Sequence, residues 1–370
     1  MLVDAAAETL PEGTLLDGKF RIVRCVGIGG MGSVYEIRHE LTKHRRALKL
    51  LHRQLATDRE AVERFLREAS AAGRIDNPHI TETFDAGWLA SGDPYLVMEY
   101  LEGEALDERL ASGGLPLDEA LLLVAQTCRA LHAAHGAGIV HRDLKPENLF
   151  IVIRDERPFV KVLDFGIGKF EDARAVSRAT MEGAFMGTPY YMSPEQFLDG
   201  KKVDARSDVY SLGVILYECV TGQHPYPCDT LARLATKIMV EEPAAPSSLR
   251  SGLPSGVDAV LARALAKRAD DRYPTAEAMA VELERLCDRN LLTLPQGSSW
   301  QSQFPPSVDV RAARRVADKT VRVVEEEETM QSAGQEEPVE AAPPRSEEVT
   351  IEAPAPRWRL GLLVGAGAAA

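Results

Sequence analysis

Cysteine is scarce and shows no pairing pattern. The 370-residue chain holds five (Cys25, Cys128, Cys219, Cys228 and Cys287), scattered, odd in number and never spaced C-x-x-C. This argues against a disulfide scaffold or a zinc ribbon and makes a reducing compartment the default. An excess of positive charge is also missing. Lys and Arg total 43 against 56 Asp and Glu, a formal net charge of −13. Non-specific nucleic-acid binding needs clustered cations, so no nucleic-acid partner is expected. No long apolar run stands near Asp4 and Glu8, so no signal peptide is expected. Internal repeats are not visible. What is present is ordinary for a globular protein, with 45% apolar and 27% charged residues. Collagen-like, mucin-like and wholly disordered chains are thereby excluded.

The organisation is uneven along the chain. Residues 1–17 read as a short acidic leader, and 18–288 alternate strand-like and helix-like stretches without low complexity. From 289 to 359 Pro, Glu, Ser and Gln dominate, as in Pro305-Pro306, Glu325 to Glu328 and Pro343-Pro344. This composition is that of a disordered linker. Residues 360–370 are all apolar or Gly and follow Arg357 and Arg359. At about 1.5 Å per residue they reach roughly 16 Å, against a hydrocarbon core of about 30 Å. The bland reading is a floppy Ala/Gly tail. The preferred one is the opening half of a transmembrane helix with a cationic cytoplasmic flank.

In the first half, residues 20–26 read as a strand, followed by Gly27-Ile28-Gly29-Gly30-Met31-Gly32-Ser33-Val34. G-x-G-x-x-G alone is a weak signal, and a dinucleotide site needs a helix directly after it. Residues 33–37 are instead β-branched and aromatic, so a glycine-rich hairpin open to phosphates is expected. Residues 46–51 form another strand carrying Lys49. Residues 58–75 predict a helix with Val62, Phe65, Leu66 and Ala69 on one face. Glu63 and Glu68 flank that stripe, and periodicity does not choose which of them meets Lys49. Residues 94–101 read as a buried strand running into an acidic turn.

In the second half a long helix over 117–135 precedes His141-Arg142-Asp143-Leu144-Lys145-Pro146-Glu147-Asn148. Two apolar strands, 149–153 and 159–163, flank a charged turn centred near Glu156. Such a hairpin brings Asn148 and Asp164 to its open end beside Asp143. An Asp and an Asn converging near a third carboxylate form a hard oxygen site suited to Mg2+ with bound phosphates.

At this point the chain resembles the bacterial eukaryotic-like Ser/Thr protein kinase family, over about 18–288. Gly27 to Val34 match G-x-G-x-x-G-x-V, and Lys49 in R-A-L-K matches the strand lysine. Glu68 matches the helix glutamate. His141 to Asn148 fit H-R-D-L-x-x-x-N, and Asp164-Phe165-Gly166 fit D-F-G. Residues 187–195 fit the end of an activation segment, with Ser193 where many kinases have Ala. Asp208 resembles the family's buried helix aspartate, and Arg272 the partner of Glu195.

The resemblance implies an α+β, two-lobed kinase fold with a β-rich N-lobe and a mainly helical C-lobe. It implies ATP and Mg2+ as cofactors and protein substrates. Gly27, Gly29 and Gly32, flanked by Val26 and Ile28, close over the phosphates. Lys49, oriented by Glu68, holds the α- and β-phosphates. Val34 and Ala47 sandwich adenine, Met98 is the gatekeeper, and backbone groups of Glu99 and Leu101 read the adenine edge. Asn148 and Asp164 bind Mg2+, Asp143 takes or orients the hydroxyl proton, and Lys145 steadies the transferring group. Thr180, then Ser177, are the expected activation-loop phosphosites, gripped by Arg142. A cytoplasmic kinase domain tethered to the inner membrane is expected, and a homodimer is allowed. A pseudokinase would need a degraded Lys49, Asp143 or Asp164, a small-molecule kinase would lack residues 188–195, and a tethered interaction protein leaves the motifs unexplained.

Overall fold

The computed structural model describes residues 9–165, 189–198 and 203–289, without the side chains of 68–72 and 288–289. The first lobe is a sheet of β1 (Leu15–Leu16), β2 (Phe20–Ile28), β3 (Gly32–His39), β4 (Arg45–Leu51), β5 (Thr83–Trp88) and β6 (Pro94–Glu99). Its strands run antiparallel in the order β1-β2-β3-β4-β6-β5. One face buries Phe20, Ile22, Tyr35, Ile37, Leu48 and Val97. The other carries Leu51 and Leu96, against which the helix α2 (Arg59–Ala72) lays Val62, Phe65 and Leu66, after the short α1 (Arg53–Ala56). That is the apolar stripe its spacing predicts.

The second lobe begins with β7 (Gly103–Ala105), α3 (Leu106–Leu110) and α4 (Leu117–Gly136). The hairpin of β8 (Leu149–Arg154) and β9 (Arg157–Val162) follows, with β7 on its edge. Asp155 and Glu156 form its turn with φ of 49° and 63°, both left-handed. A two-residue turn of this kind matches the twist of the flanking strands. Its centre lies between Asp155 and Glu156, so Asn148 faces Leu163 rather than Asp164. The Leu163 N–H donates to the Asn148 carbonyl at 2.8 Å. The expected hairpin is present with its register moved by one residue.

After α5 (Pro194–Leu198), the centre of this lobe is α6 (Ala205–Thr221), buried on nearly every face. A helix apolar all round belongs inside a core. Asp204 caps its start by accepting the Arg206 N–H, and Gly222 ends it at φ 72°. The remaining α-helices among the described residues are α7 (Leu231–Val240), α8 (Pro246–Leu249), α9 (Ser255–Ala264) and α10 (Ala276–Arg289). Residues 79–81 strap the lobes together: the Thr81 N–H donates to the Val162 carbonyl and the Val162 N–H to that of His79. Among the described residues no helix is long and apolar enough to cross a membrane. Residues 290–370, with the expected linker and membrane segment, lie outside the described residues.

Candidate functional site

The glycine hairpin sits where β2 meets β3. Gly27 pairs with Val34 and Ile28 with Ser33, and the Gly29 N–H donates to the Gly32 carbonyl at 2.8 Å to close the turn. At Gly32 a Cβ would lie 2.2 Å from the Leu50 carbonyl oxygen, so only glycine lets this turn rest on β4. At Gly27 a Cβ meets nothing within 4 Å. There the missing side chain answers no packing need. Val26 and Ile28 are 47% and 57% exposed, unusual for apolar residues in a sheet.

Beneath the hairpin, Val34 pairs with Lys49, and Ala47 with Met98. Ala47 is buried. Lys49 Nζ lies 2.7 Å from Asp164 Oδ2, joining the sheet of the first lobe to the segment that follows β9. Of the two glutamates that periodicity left open, Glu63 is engaged at the surface, with Arg59 at 2.9 Å and Arg67 at 3.1 Å. The Glu68 side chain lies outside the described residues. At the end of β6, the Tyr100 hydroxyl accepts from Arg24 at 2.8 Å, and the Arg45 guanidinium lies 4.3 Å over its ring. Both arginines also hold Glu36. Burial alone would raise the Glu36 carboxyl, but the bonds from Arg45 and Arg24 bring it below its ordinary value. Glu99 and Leu101, on either side of Tyr100, line the connection between the lobes.

The catalytic-loop candidates are hung on α6. Asp208, 1% exposed, accepts the backbone N–H groups of His141 and Arg142 at 2.9 Å each. His135 Nε2 lies 2.7 Å from the same carboxylate. Arg142 has φ +66°, a left-handed conformation uncommon for a residue with a Cβ. Its peptide N–H is held by Asp208 and its carbonyl by Gln196 Nε2 at 2.8 Å, which offsets the local strain. Asp143 follows directly. Asn148 Nδ2 donates to the Asp143 carbonyl at 2.7 Å and reaches Oδ2 at 3.4 Å, leaving the amide oxygen as its remaining acceptor. Lys145 Nζ is 3.8 Å from Glu147.

His141 links this loop to the opposite strand end. Its Nε2 is 3.1 Å from the Leu163 carbonyl, and its ring packs 4.9 Å from that of the buried Phe165. Asp164 lies between those residues with φ +38°. Asp143 with Asn148, and Lys49 with Asp164, thus form two pairs joined through His141. Ser177 and Thr180 lie outside the described residues.

Sequence reasoning missed Gln196, whose Oε1 accepts the Ser193 N–H and hydroxyl at 2.9 and 3.1 Å while its amide grips Arg142. It also missed the bond from the Tyr191 hydroxyl to Glu218 at 2.6 Å. Neither has a local signature, because their partners are distant in sequence or are backbone groups.

The chain matches the protein kinase domain family over residues 20–283. It is 43% identical over 270 residues to serine/threonine-protein kinase Pkn1 of Myxococcus xanthus, covering 72% of this chain and 38% of that protein. Serine/threonine-protein kinase PknB of Mycobacterium tuberculosis is 39% identical over 276 residues, covering 73% of this chain and 43% of that protein. Among solved structures, the PknI kinase domain of Mycobacterium tuberculosis aligns with a TM-score of 0.58 at 29% identity, covering 75% of this chain and 99% of that one. The chain spans less than half the length of these two curated relatives.

Proposed function

The chain belongs to the protein kinase domain family, in its bacterial eukaryotic-like Ser/Thr branch, and from that premise we propose that it transfers the γ-phosphoryl group of ATP to Ser and Thr hydroxyls of proteins in a signalling role. The observation that carries the reading is the Lys49–Asp164 pair at 2.7 Å, with Asp143 and Asn148 bonded to one another on the loop beside it. Lys49 binds the phosphates of ATP, and Gly27, Gly29 and Gly32 let the hairpin approach them. Val26 and Ile28 flank that hairpin, and Val34 and Ala47 enclose adenine, whose edge meets backbone groups of Glu99 and Leu101. Asp143 accepts the proton of the attacking hydroxyl as its oxygen bonds to the γ-phosphorus and ADP departs. Lys145 faces the transferring group. Catalysis of this kind is mostly positioning and electrostatics.

The donor set fits Mg2+. A carboxylate of Asp164 and the amide oxygen of Asn148 are hard ligands, and Mg2+ usually takes only one or two protein oxygens beside phosphates and water. When bound, the ion neutralises phosphate charge.

We assign residues 18–288 as the kinase domain, with β1 (Leu15–Leu16) extending its sheet back into the expected leader, and place the self-activation switch in its activation segment. Thr180 is the first phosphosite and Ser177 the second. Arg142 supports this, because its backbone is pinned on both sides by Asp208 and Gln196. A phosphate adds about −1.5 to −2 charge and can form one to three charge-assisted bonds to such an arginine. Mass spectrometry of the active enzyme should find phosphate on Thr180, and Thr180→Ala with Ser177→Ala should lower activity at least tenfold. Full activity in that double variant, with no phosphate between Asp164 and Glu195, rules the switch out.

We further propose that 289–359 form a linker and that a helix beginning near Leu360 tethers a cytoplasmic kinase domain to the inner membrane. The apolar run behind Arg357 and Arg359 supports it. Fractionation of cells expressing the native gene should recover the protein with membranes. Recovery wholly in the soluble fraction overturns the tether.

A further inference from the structure

A buried lysine needs a reason. An ammonium stripped of water must find acceptors inside the protein, and Lys is among the residues least often fully buried. Lys161 lies in β9, three residues before Asp164, and its side chain is only 5% exposed. Its Nζ is 2.5 Å from Glu99 Oε1 and 3.5 Å from the Ile80 carbonyl. The same Glu99 oxygen accepts the Glu82 N–H at 2.9 Å, and the Glu99 N–H donates to the Glu82 carbonyl at 3.0 Å. Glu99 is therefore fastened through both its side chain and its backbone.

Stability alone is a poor account of this pair. Replacing a buried ion pair by apolar residues of similar volume is often neutral or stabilising. What an apolar pair would not do is tie these two places together at one charged contact. Glu99 ends the strand that enters the connection between the lobes, and Lys161 belongs to the strand that delivers Asp164.

We infer that Lys161 is a positioning residue for the nucleotide: by holding the Glu99 carboxylate against β9, it sets the direction of the backbone groups that meet the adenine edge. The inference rests on the adenine-reading role proposed above for Glu99 and Leu101. Hydrogen bonds to a planar base weaken steeply when misaligned. A connection released from Lys161 loses grip on the base, while the phosphate end, served by Lys49 and the glycine hairpin, is untouched.

The test compares binding of ATP, adenosine and inorganic tripolyphosphate, with Mg2+, to the 370-residue chain and its variants. Lys161→Met should weaken adenosine and ATP about tenfold and leave tripolyphosphate within about twofold of wild type. The Lys161→Met/Glu99→Gln double variant leaves neither charge buried and unpaired, so it guards against misfolding of the single variant. It should show the same selective loss, because the two groups act as one unit. Unchanged adenosine binding in a folded variant overturns the inference, as does an equal loss of adenosine and tripolyphosphate. Failure of both variants to fold assigns the pair to stability and overturns it too. A wild-type chain that binds neither ATP nor adenosine overturns the nucleotide reading itself, a result distinguishable from the others.

Discussion

An Asp143→Asn variant should fold like the parent and lose about 10²–10³-fold of its phosphoryl-transfer rate, roughly 2.7–4 kcal/mol of transition-state stabilisation. The substitution keeps the shape of the side chain. The main bond that Asn148 makes here goes to the Asp143 backbone carbonyl at 2.7 Å, and the side-chain contact is longer, at 3.4 Å. The turn is held independently, by Asp208 on the His141 and Arg142 N–H groups and by Gln196 on the Arg142 carbonyl. What the variant loses is the carboxylate charge proposed above to take the hydroxyl proton. Single-turnover transfer from ATP, measured beside a thermal melt, checks this. A folded variant working at wild-type speed removes Asp143 from the mechanism.

The second large effect is on stability. Arg272→Met should cost about 3–5 kcal/mol, the range for breaking a buried pair from one side, and lower the melting temperature on the order of 10 °C. The Arg272 side chain is wholly buried and spans both Glu195 oxygens, at 2.7 and 2.8 Å. Its remaining bonds go to the carbonyls of Ala266, Arg206 and Lys267. All five guanidinium N–H groups are thus used, and removing them strands the Glu195 carboxylate.

The pH dependence follows with a definite sign. Burial by itself raises the Glu195 carboxyl, but Arg272 and Ser207 overcome this and hold it below its ordinary 4.5. A depressed carboxyl contributes stability that is fully present above its unfolded value and is lost as pH falls through the folded one. The wild type should therefore lose stability below about pH 4.5. In Arg272→Met the stranded carboxylate gains by protonation instead. The gap in melting temperature should narrow as pH falls from 6 toward 4. A gap that stays constant across that range contradicts the assignment. Arg272→Met/Glu195→Leu, with neither charge left buried, should regain much of the loss.

Much of this was legible because it is periodic or local. The stripe of Val62, Phe65 and Leu66 reads directly as one helix face. The hairpin carrying Asn148 and Asp164 reads as two apolar runs around a charged turn. Its register does not, because Asp155-Glu156 lacks the Asn-Gly or Asp-Gly signal that marks a two-residue turn. The choice between Glu63 and Glu68 illustrates the same limit. Both flank one stripe; the family resemblance names Glu68, and the structure shows Glu63 paired with Arg59 and Arg67 on the exposed face. The contacts that shape the site are less legible still. His141 meets Leu163, Gln196 meets Arg142 and Lys161 meets Glu99 across 22, 54 and 62 residues respectively. No hydrophobic period encodes such partners, which exist only once segments distant in sequence have packed together.

The most direct test of the central claim is phosphate transfer by the purified chain itself. It is incubated with Mg2+, ATP labelled at the γ-phosphate and a generic protein substrate, followed by phosphoamino-acid analysis. Label should appear on phosphoserine and phosphothreonine, depend on Mg2+, and be absent with Asp143→Asn. A folded wild-type chain that binds ATP yet transfers no label to any hydroxyl contradicts the claim and makes the chain a scaffold that keeps the kinase residues without the chemistry.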